Sequence, residues 1–426
     1  MTTNDPLFNI YIDAIEHQNH VALIGQQSRK LEDLFLDYPR GFSFHEPKWA
    51  AIYYARVSHI DIKMNAAFVD LGNDKQGILP VKHIYTPADE NKTKGRGQGR
   101  AKRDITQILG PGDWIFVQIK AEGHDAEDSA YKKLPRLTTK IHIPGRTLLY
   151  SPNVVGIFSS HWVNERDENE IGSKLTKQHD RGGWVIRQMA PDIPEQDLLH
   201  EAEHLVIDWE TAKEKAREAR DKQEPAKIYD APEAIERALI DYGRRGIGFI
   251  ETMTNEQAAM ATAWATKYAP DLVDKISVAH FSPNERIKSL FEAHDIYSAL
   301  DIINEKVVYL PSGGSITLER TEACAVIDVN SGPADKFQTN MEAAVEVMRQ
   351  IRVRNYSGII LCDMINMSNK SQRHQVLETC EMESRYDPAN TQVHGFTRLM
   401  MLEMTRRRRT ASLRDKTSVL KESFPS

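Results

Sequence analysis

The chain reads as a mixed α/β protein of several domains, and three observations predict this. Short alternating strands separated by glycine turns fill residues 46–140. Helical apolar periodicity marks residues 195–270, and two apolar runs flank a helical stretch within 323–363. At about 150 residues per domain, the 426-residue length predicts two to four domains with ample core. Apolar residues make up 40% and charged residues 27%, so a wholly disordered chain is excluded. Mean hydropathy is -0.51, and no apolar run approaches the roughly 18–20 residues a membrane span needs. Residues 1–6 lack the basic and apolar regions of a secretion signal. Three cysteines, Cys324, Cys362 and Cys380, form neither a C-x-x-C pair nor a disulfide framework, so a reduced, cytoplasmic setting is expected.

Residues 10–15 and 20–24 alternate around a polar break and predict a hairpin. From Lys48 the pattern is all-β: 51–57, 66–71, 77–81 and 114–119 read as strands, with turns at 72–74 and 110–113. Short strands, glycine turns and one long basic loop predict a small Greek-key barrel of the OB type. Such barrels stack single-stranded bases on aromatic side chains beside a basic groove. Phe68 is either that platform or a barrel-core residue. A second β-rich stretch runs from 136 to 150 and ends near 181–187. Leu198, Leu199, Ala202, Leu205, Val206, Trp209 and Ala212 recur at helical spacing; the charged residues 213–224 that follow, ending at Pro225, read as a linker. Residues 233–242 and 256–268 read as helices around a strand at 247–250.

Net charge is -6, which argues against adhesion to nucleic acid through bulk charge. Two basic clusters stand out, at 92–103 and at Arg406, Arg407, Arg408 and Arg409; each is a solvated segment or a nucleic-acid contact.

The chemistry concentrates at 311–367. Residues 323–328 and 358–363 are apolar runs that both end on a carboxylate, Asp328 and Asp363, and the stretch between them carries a helical face of Ala343, Ala344, Val347, Met348 and Ile351. Runs apolar on both faces suit buried parallel strands, and a strand–helix–strand crossover brings their carboxyl ends to one sheet edge. Two acids held that close repel unless one is protonated or a cation lies between them. Oxygen-only ligands select Mg²⁺, with Mn²⁺ as the alternative, and Asn330 is placed to orient a carboxylate. The competing reading makes each aspartate the cap of the helix that follows; two acids at equivalent strand ends favour the metal. A P-loop and a dinucleotide fingerprint are absent.

These segments resemble the ribonuclease E/G family along nearly the whole chain. The resemblance is carried by Ala66-Ala-Phe-Val-Asp-Leu-Gly72, Gly77-Ile-Leu-Pro-Val-Lys82, Arg136-Leu-Thr-Thr139 and Gly183-Trp-Val-Ile-Arg187. It continues through Leu310-Pro-Ser-Gly-Gly-Ser315, Val326-Ile-Asp-Val-Asn-Ser331, Asn340-Met-Glu-Ala-Ala344, Gly358-Ile-Ile-Leu-Cys-Asp363 and Leu402-Glu-Met-Thr-Arg406. The resemblance implies a magnesium-dependent endoribonuclease for single-stranded RNA, with Asp328 and Asp363 as catalytic metal ligands and Asn330 in support. Phe68 and Lys133 would contact RNA. The implied fold has an RNase H-like part in two segments (1–45 and 230–295) and an OB-fold barrel (46–140). A 5′-sensor region with a linker helix (141–229), a DNase I-like catalytic part (296–412) and a tail (413–426) complete it.

The sensor-like positions are Gly145, Leu149, Arg187 and Gln188. Gln188 replaces the family's threonine, Asn390 stands where a basic residue is expected, and Ile78 stands where the barrel has a second aromatic. Loss of a cation from a phosphate pocket predicts weak 5′-monophosphate sensing. No zinc is expected, because the C-terminal Cys-x-x-Cys link is missing, so a zinc-linked tetramer is not expected either; a homodimer stays open. An RNA-binding relative with lost or restricted catalysis is the alternative function.

Overall fold

The computed structural model describes residues 8–15, 18–37, 47–86, 103–125, 132–179, 181–243, 246–281, 289–321, 323–333, 335–410 and 412–413. Most of the basic cluster at 92–103 and the tail from 414 lie outside the described residues.

Four larger sheets and one two-stranded ribbon, His124–Asp125 with Lys132–Lys133, organise the described residues. The first holds Phe8–Ile15, Gln18–Gly25 and Leu31–Leu36 as an antiparallel meander. Two distant strands extend it: Ile247–Thr252 pairs parallel with Phe8–Ile15, and Ile276–Val278 pairs parallel with Ile247–Thr252. The helices Ala234–Tyr242 and Asn255–Tyr268 belong to the same unit and share its core with Ile10, Ile12, Val21 and Leu23. The second helix starts with a reciprocal cap, in which Thr254 and Gln257 satisfy each other's backbone amides.

Ile52–Asp61, Ala66–Gly72, Lys75–Pro80, Arg136–Thr138 and Trp114–Ala121 form a closed five-stranded barrel, sealed by pairing of Ile52–Asp61 with Trp114–Ala121. Its core is Val57, Ala67, Val69, Leu71, Leu79, Val117, Ile119 and Leu137. The strand Ala226–Tyr229 adds against Ile52–Tyr54, a pairing between segments far apart in the chain. Gly72 has a left-handed φ of +84°, and a Cβ there would lie 2.5 Å from the Pro225 carbonyl oxygen, so only glycine permits this approach.

The third sheet contains Ile143–Pro144, Leu148–Ser151, Gly183–Ile186 and Gly156–Ser159. The helix Glu195–Lys222 packs its stripe of Leu198, Ala202, Leu205 and Trp209 into the core shared by this sheet and the first. The stripe continues through Ala212, Ala216 and Ala219, all buried, so the charged stretch 213–222 is helix rather than linker. Alanine at every third or fourth position marks the inner face there, although charged neighbours conceal it.

The fourth sheet runs in the order Val307–Tyr309, Ser315–Arg320, Cys324–Asn330, Gly358–Asp363, Met401–Arg406, Gln392–Phe396. The helices Lys336–Val353 and Lys370–Ser384 accompany it; Ile327, Val329, Ile360, Cys362, Leu402 and Met404 meet Ala343, Val347, Met348, Ile351, Val376 and Cys380 in one core. The opposite face of the sheet is open among the described residues, with Asp328, Asn330, Ile359 and Asp363 exposed on it. No helix among the described residues is long and apolar enough to cross a membrane.

Candidate active site

The strands Cys324–Asn330 and Gly358–Asp363 are parallel neighbours, and Asp328 stands directly opposite Asp363. Residues in register on adjacent strands point to the same face, about 4.8 Å apart along the ladder. Burial alternates along both strands: Ile327, Val329 and Cys362 point into the core, whereas Asp328, Asn330 and Asp363 are exposed on the open face. Thr317 and Met401 lie beyond the two acids in the same row.

The Asn330 side-chain amide donates to Asp328 Oδ2 at 2.9 Å, leaving Oδ1 open. Among the described residues, neither aspartate pairs with a lysine or arginine, and Asp363 has no hydrogen-bond partner. The helix-cap reading fails on specific bonds. Asp335 caps Lys336–Val353 by accepting from the Phe337 and Gln338 amides, and Asn369 caps Lys370–Ser384 by accepting from the Ser371 amide. Two in-register carboxylates without a protein cation, supported by an amide, form an all-oxygen donor set that fits a hard divalent ion holding most of its ligands as water. No third histidine, cysteine or acid joins them among the described residues.

Two supports of this site escaped the sequence reading. Asn340, fully buried on the helix Lys336–Val353, donates to the Ile365 carbonyl at 2.8 Å and accepts from the Ile365 amide at 3.0 Å. It thereby clamps the chain two residues past Asp363. Only its place at the head of the signature 340–344 hinted at a role. The turns 311–314 and 330–332 also meet backbone to backbone. A Cβ on Gly332 would sit 2.3 Å from the Gly313 carbonyl carbon, and one on Gly314 2.8 Å from the Asn330 carbonyl oxygen.

The remaining candidates fall elsewhere. Phe68 lies on the outside of the barrel, half-buried and stacked on His59 with centroids 4.3 Å apart and planes at 8°; it is not a barrel-core residue. Its cross-strand partner is Ile78. Lys133 is exposed on the short strand Lys132–Lys133. Gly145, Leu149, Arg187 and Gln188 do gather around the third sheet. Arg187 Nη1 donates to the Gly145 carbonyl at 3.0 Å and the Ile240 carbonyl at 2.7 Å, and Nη2 lies 3.8 Å from Asp241. Gln188 and Leu149 are half-buried, and Asn390 is exposed with φ of 60°.

Glu201 is a further residue that sequence reasoning missed. Fully buried on the long helix, it accepts from the Thr147 amide at 2.8 Å, the Leu148 amide at 3.1 Å and the Thr147 hydroxyl. Burial pushes its carboxyl above the usual range, against those bonds. A carboxylate on the apolar stripe beside Ala202 was the available signal.

In the basic run at 406–409, two members are structural. Arg406 is buried and bonds Asp387 at 2.9 and 3.0 Å. Arg409 bonds Asp241 at 2.9 and 3.0 Å and lies over the Trp49 ring.

Comparison with known proteins agrees with this architecture. Residues 142–409 match the model of the ribonuclease E/G family. The chain is 30% identical to ribonuclease G of Escherichia coli K12 over 373 residues, covering 85% of this chain and 73% of that protein. Identity to ribonuclease G of Salmonella typhimurium is 29% over 372 residues, with the same coverage. Against ribonuclease E of Escherichia coli K12 it is 31% over 415 residues, 93% of this chain but 36% of that longer protein. A family match that spans the third and fourth sheets, with the paired aspartates inside it, places the chain in the ribonuclease E/G family.

Proposed function

We propose that the chain is an endoribonuclease that hydrolyses single-stranded RNA with a divalent ion, Mg²⁺ or Mn²⁺, held by Asp328 and Asp363. The observation that carries this reading is the pair of in-register, exposed carboxylates without a protein cation beside them. Relatives that are ribonucleases G and E support the reaction class.

A bound ion of this kind supplies charge stabilisation at the attacked phosphate and lowers the pKa of a coordinated water. The chain's own contribution is placement. Asn330 holds Asp328 Oδ2, so that the other oxygen would be free to hold the ion. The sheet fixes the spacing of the two acids, and Asn340 fixes the chain that leaves Asp363. The open face admits an extended strand, whereas a paired duplex presents its bases inward. Phe68, stacked on His59, offers a flat surface for an unstacked base, and Lys133 an exposed cation for its phosphate.

The test is cleavage of an unstructured RNA with Mg²⁺ or with EDTA. Cleavage with Mg²⁺ and none with EDTA is expected. Asp363→Asn should abolish cleavage while RNA affinity measured in EDTA stays near wild type, and Asn330→Ala should lose about 10–100-fold in activity. RNA binding without cleavage in either condition would replace the enzyme reading with that of a binding protein.

A further inference from the structure

A second cluster of charged groups lies on the barrel, away from the two aspartates. Lys120, near the end of the strand Trp114–Ala121, donates to His83 Nδ1 at 2.8 Å. His83 sits on the turn Val81–His83 beside Lys82. That turn is bound to the next strand, because the His83 carbonyl accepts from the Thr139 amide and the Thr138 hydroxyl, both at 3.1 Å. Arg136, on this strand, is exposed and pairs with Ala121, next to Lys120. Arg407 arrives from the fourth sheet, where the Arg409 carbonyl accepts from the Glu122 amide at 3.1 Å.

Among the described residues, like charges are concentrated here. Among the described residues, none of Lys82, Lys120, Arg136, Lys140 and Arg407 forms an ion pair. The nearest acid along the chain, Glu122, is buried and accepts from the Trp49 amide. Burial lowers the Lys120 pKa, and Arg407, Arg136, Lys82 and Lys140 lower it further. Burial, with Lys120, Lys82 and Arg136, holds His83 down to about 4, so its ring is neutral at physiological pH. With Nδ1 accepting from Lys120, the proton belongs on Nε2, and that atom is buried with no protein partner. A fold gains nothing from such repulsion, and an anion would relieve it.

The same surface joins the aromatic platform. Phe68 pairs with Ile78, and Ile78 with Arg136, so the three form one row across the outside of the barrel. We infer that Lys82, Lys120, Arg136 and Arg407, around His83, form a seat for backbone phosphates of the RNA strand whose bases lie along this row. The seat rests on the RNA reading above and adds a second anchoring point to it. Arg407 follows the end of Met401–Arg406 opposite Met401, the partner of Asp363. The strand would therefore be held about 15–20 Å from the acids, at about 3.3 Å per residue along the sheet.

Fluorescence anisotropy tests this on the whole chain in EDTA, with an unstructured oligoribonucleotide carrying either a 5′-hydroxyl or a 5′-monophosphate. The double variant Lys120→Gln/Arg136→Gln should bind both forms roughly tenfold more weakly, with a salt slope shallower by about 1.4, or about 0.7 for each phosphate no longer neutralised. Lys215→Gln/Lys222→Gln, with the same charge change on the exposed face of the long helix, should bind like wild type. Lys120→Arg should retain affinity, and the melting temperature of the double variant should hold or rise. Unchanged affinity and slope in the double variant would overturn the seat while leaving the RNA reading intact. So would an equal loss in the helix variant, or a loss confined to the 5′-monophosphate form. A fall in melting temperature together with poor binding by Lys120→Arg would assign the cluster to folding. If wild type binds no RNA, both readings fall.

Discussion

Asp387 and Asp33 are buried acids with opposite effects on stability. For Asp387, burial favours the neutral form, but Arg406 outweighs it, with help from Thr391 and the Ala389 amide, and the carboxyl settles at about 2. Its folded pKa lies below the unfolded value, so its stabilisation is present above about pH 4 and is lost as pH falls towards 2. The size is about 2 kcal/mol. Asp33 is the reverse. Burial dominates and lifts it to about 6, despite the hydrogen bond donated by Tyr242 at 2.7 Å. The unfolded state then releases this proton first, so stability declines from about pH 4 to pH 6 and is flat above. Denaturant titrations from pH 2 to 8 should show both limbs. Asp33→Asn should shrink the decline between pH 4 and 6, to which Glu201 also contributes, and Asp387→Asn should flatten the acid limb while lowering stability throughout. A wild-type profile flat between pH 4 and 6 would contradict the assignment of Asp33.

At the scale of elements, the site depends on how a helix and two turns hold the ends of two strands. Asn340 satisfies both backbone groups of Ile365 from within the core, so Asn340→Ala leaves a buried amide and carbonyl unpaired, at about 1–3 kcal/mol each. The expected result is a lower melting temperature with a fall in kcat larger than the change in KM, because Asp363, the proposed ligand, is misplaced rather than removed. Asn340→Asp should recover part of the loss by still accepting from the Ile365 amide. A variant that melts lower with unchanged kcat would make Asn340 purely structural. Much of this element layer was legible beforehand. Two apolar runs ending on acids read as parallel strands whose crossover brings Asp328 and Asp363 to one sheet edge; the expectation of burial on both faces fails, since Ile359 is 48% exposed on the face that carries the acids. The helical nature of 213–222 was not legible, because its inner face is only alanine among charges. Asn340 stands within a signature but shows no role there, since an asparagine on a helix does not announce which backbone it will meet.

At the scale of the whole molecule, the units meet around Asp241. It accepts from Arg409, which follows the fourth sheet, and lies 3.8 Å from Arg187 of the third, while Arg409 covers Trp49 at the entry to the barrel. Contacts of this kind join residues far apart in the chain, and no local pattern encodes them; the basic run 406–409 therefore read as a uniform cluster although two of its members are committed internally. No local pattern encodes the pairing of Phe8–Ile15 with Ile247–Thr252 either; only the family resemblance joined residues 1–45 and 230–295. The junction holds the residues that the family resemblance assigns to sensing of RNA ends. Arg187 already satisfies two carbonyls and faces an acid, Gln188 is neutral, and Asn390 adds no charge. Among the described residues, a terminal phosphate arriving there would gain no charge-assisted bond from an uncommitted cation, an interaction worth about 1.5–3 kcal/mol, or roughly 10–100-fold. Cleavage of matched RNAs with a 5′-monophosphate or a 5′-hydroxyl should therefore proceed at rates within a few-fold of each other. Asn390→Arg should introduce a preference for the phosphorylated end, whereas a wild-type ratio well above tenfold would show that Arg187 leaves its carbonyl partners to bind the phosphate.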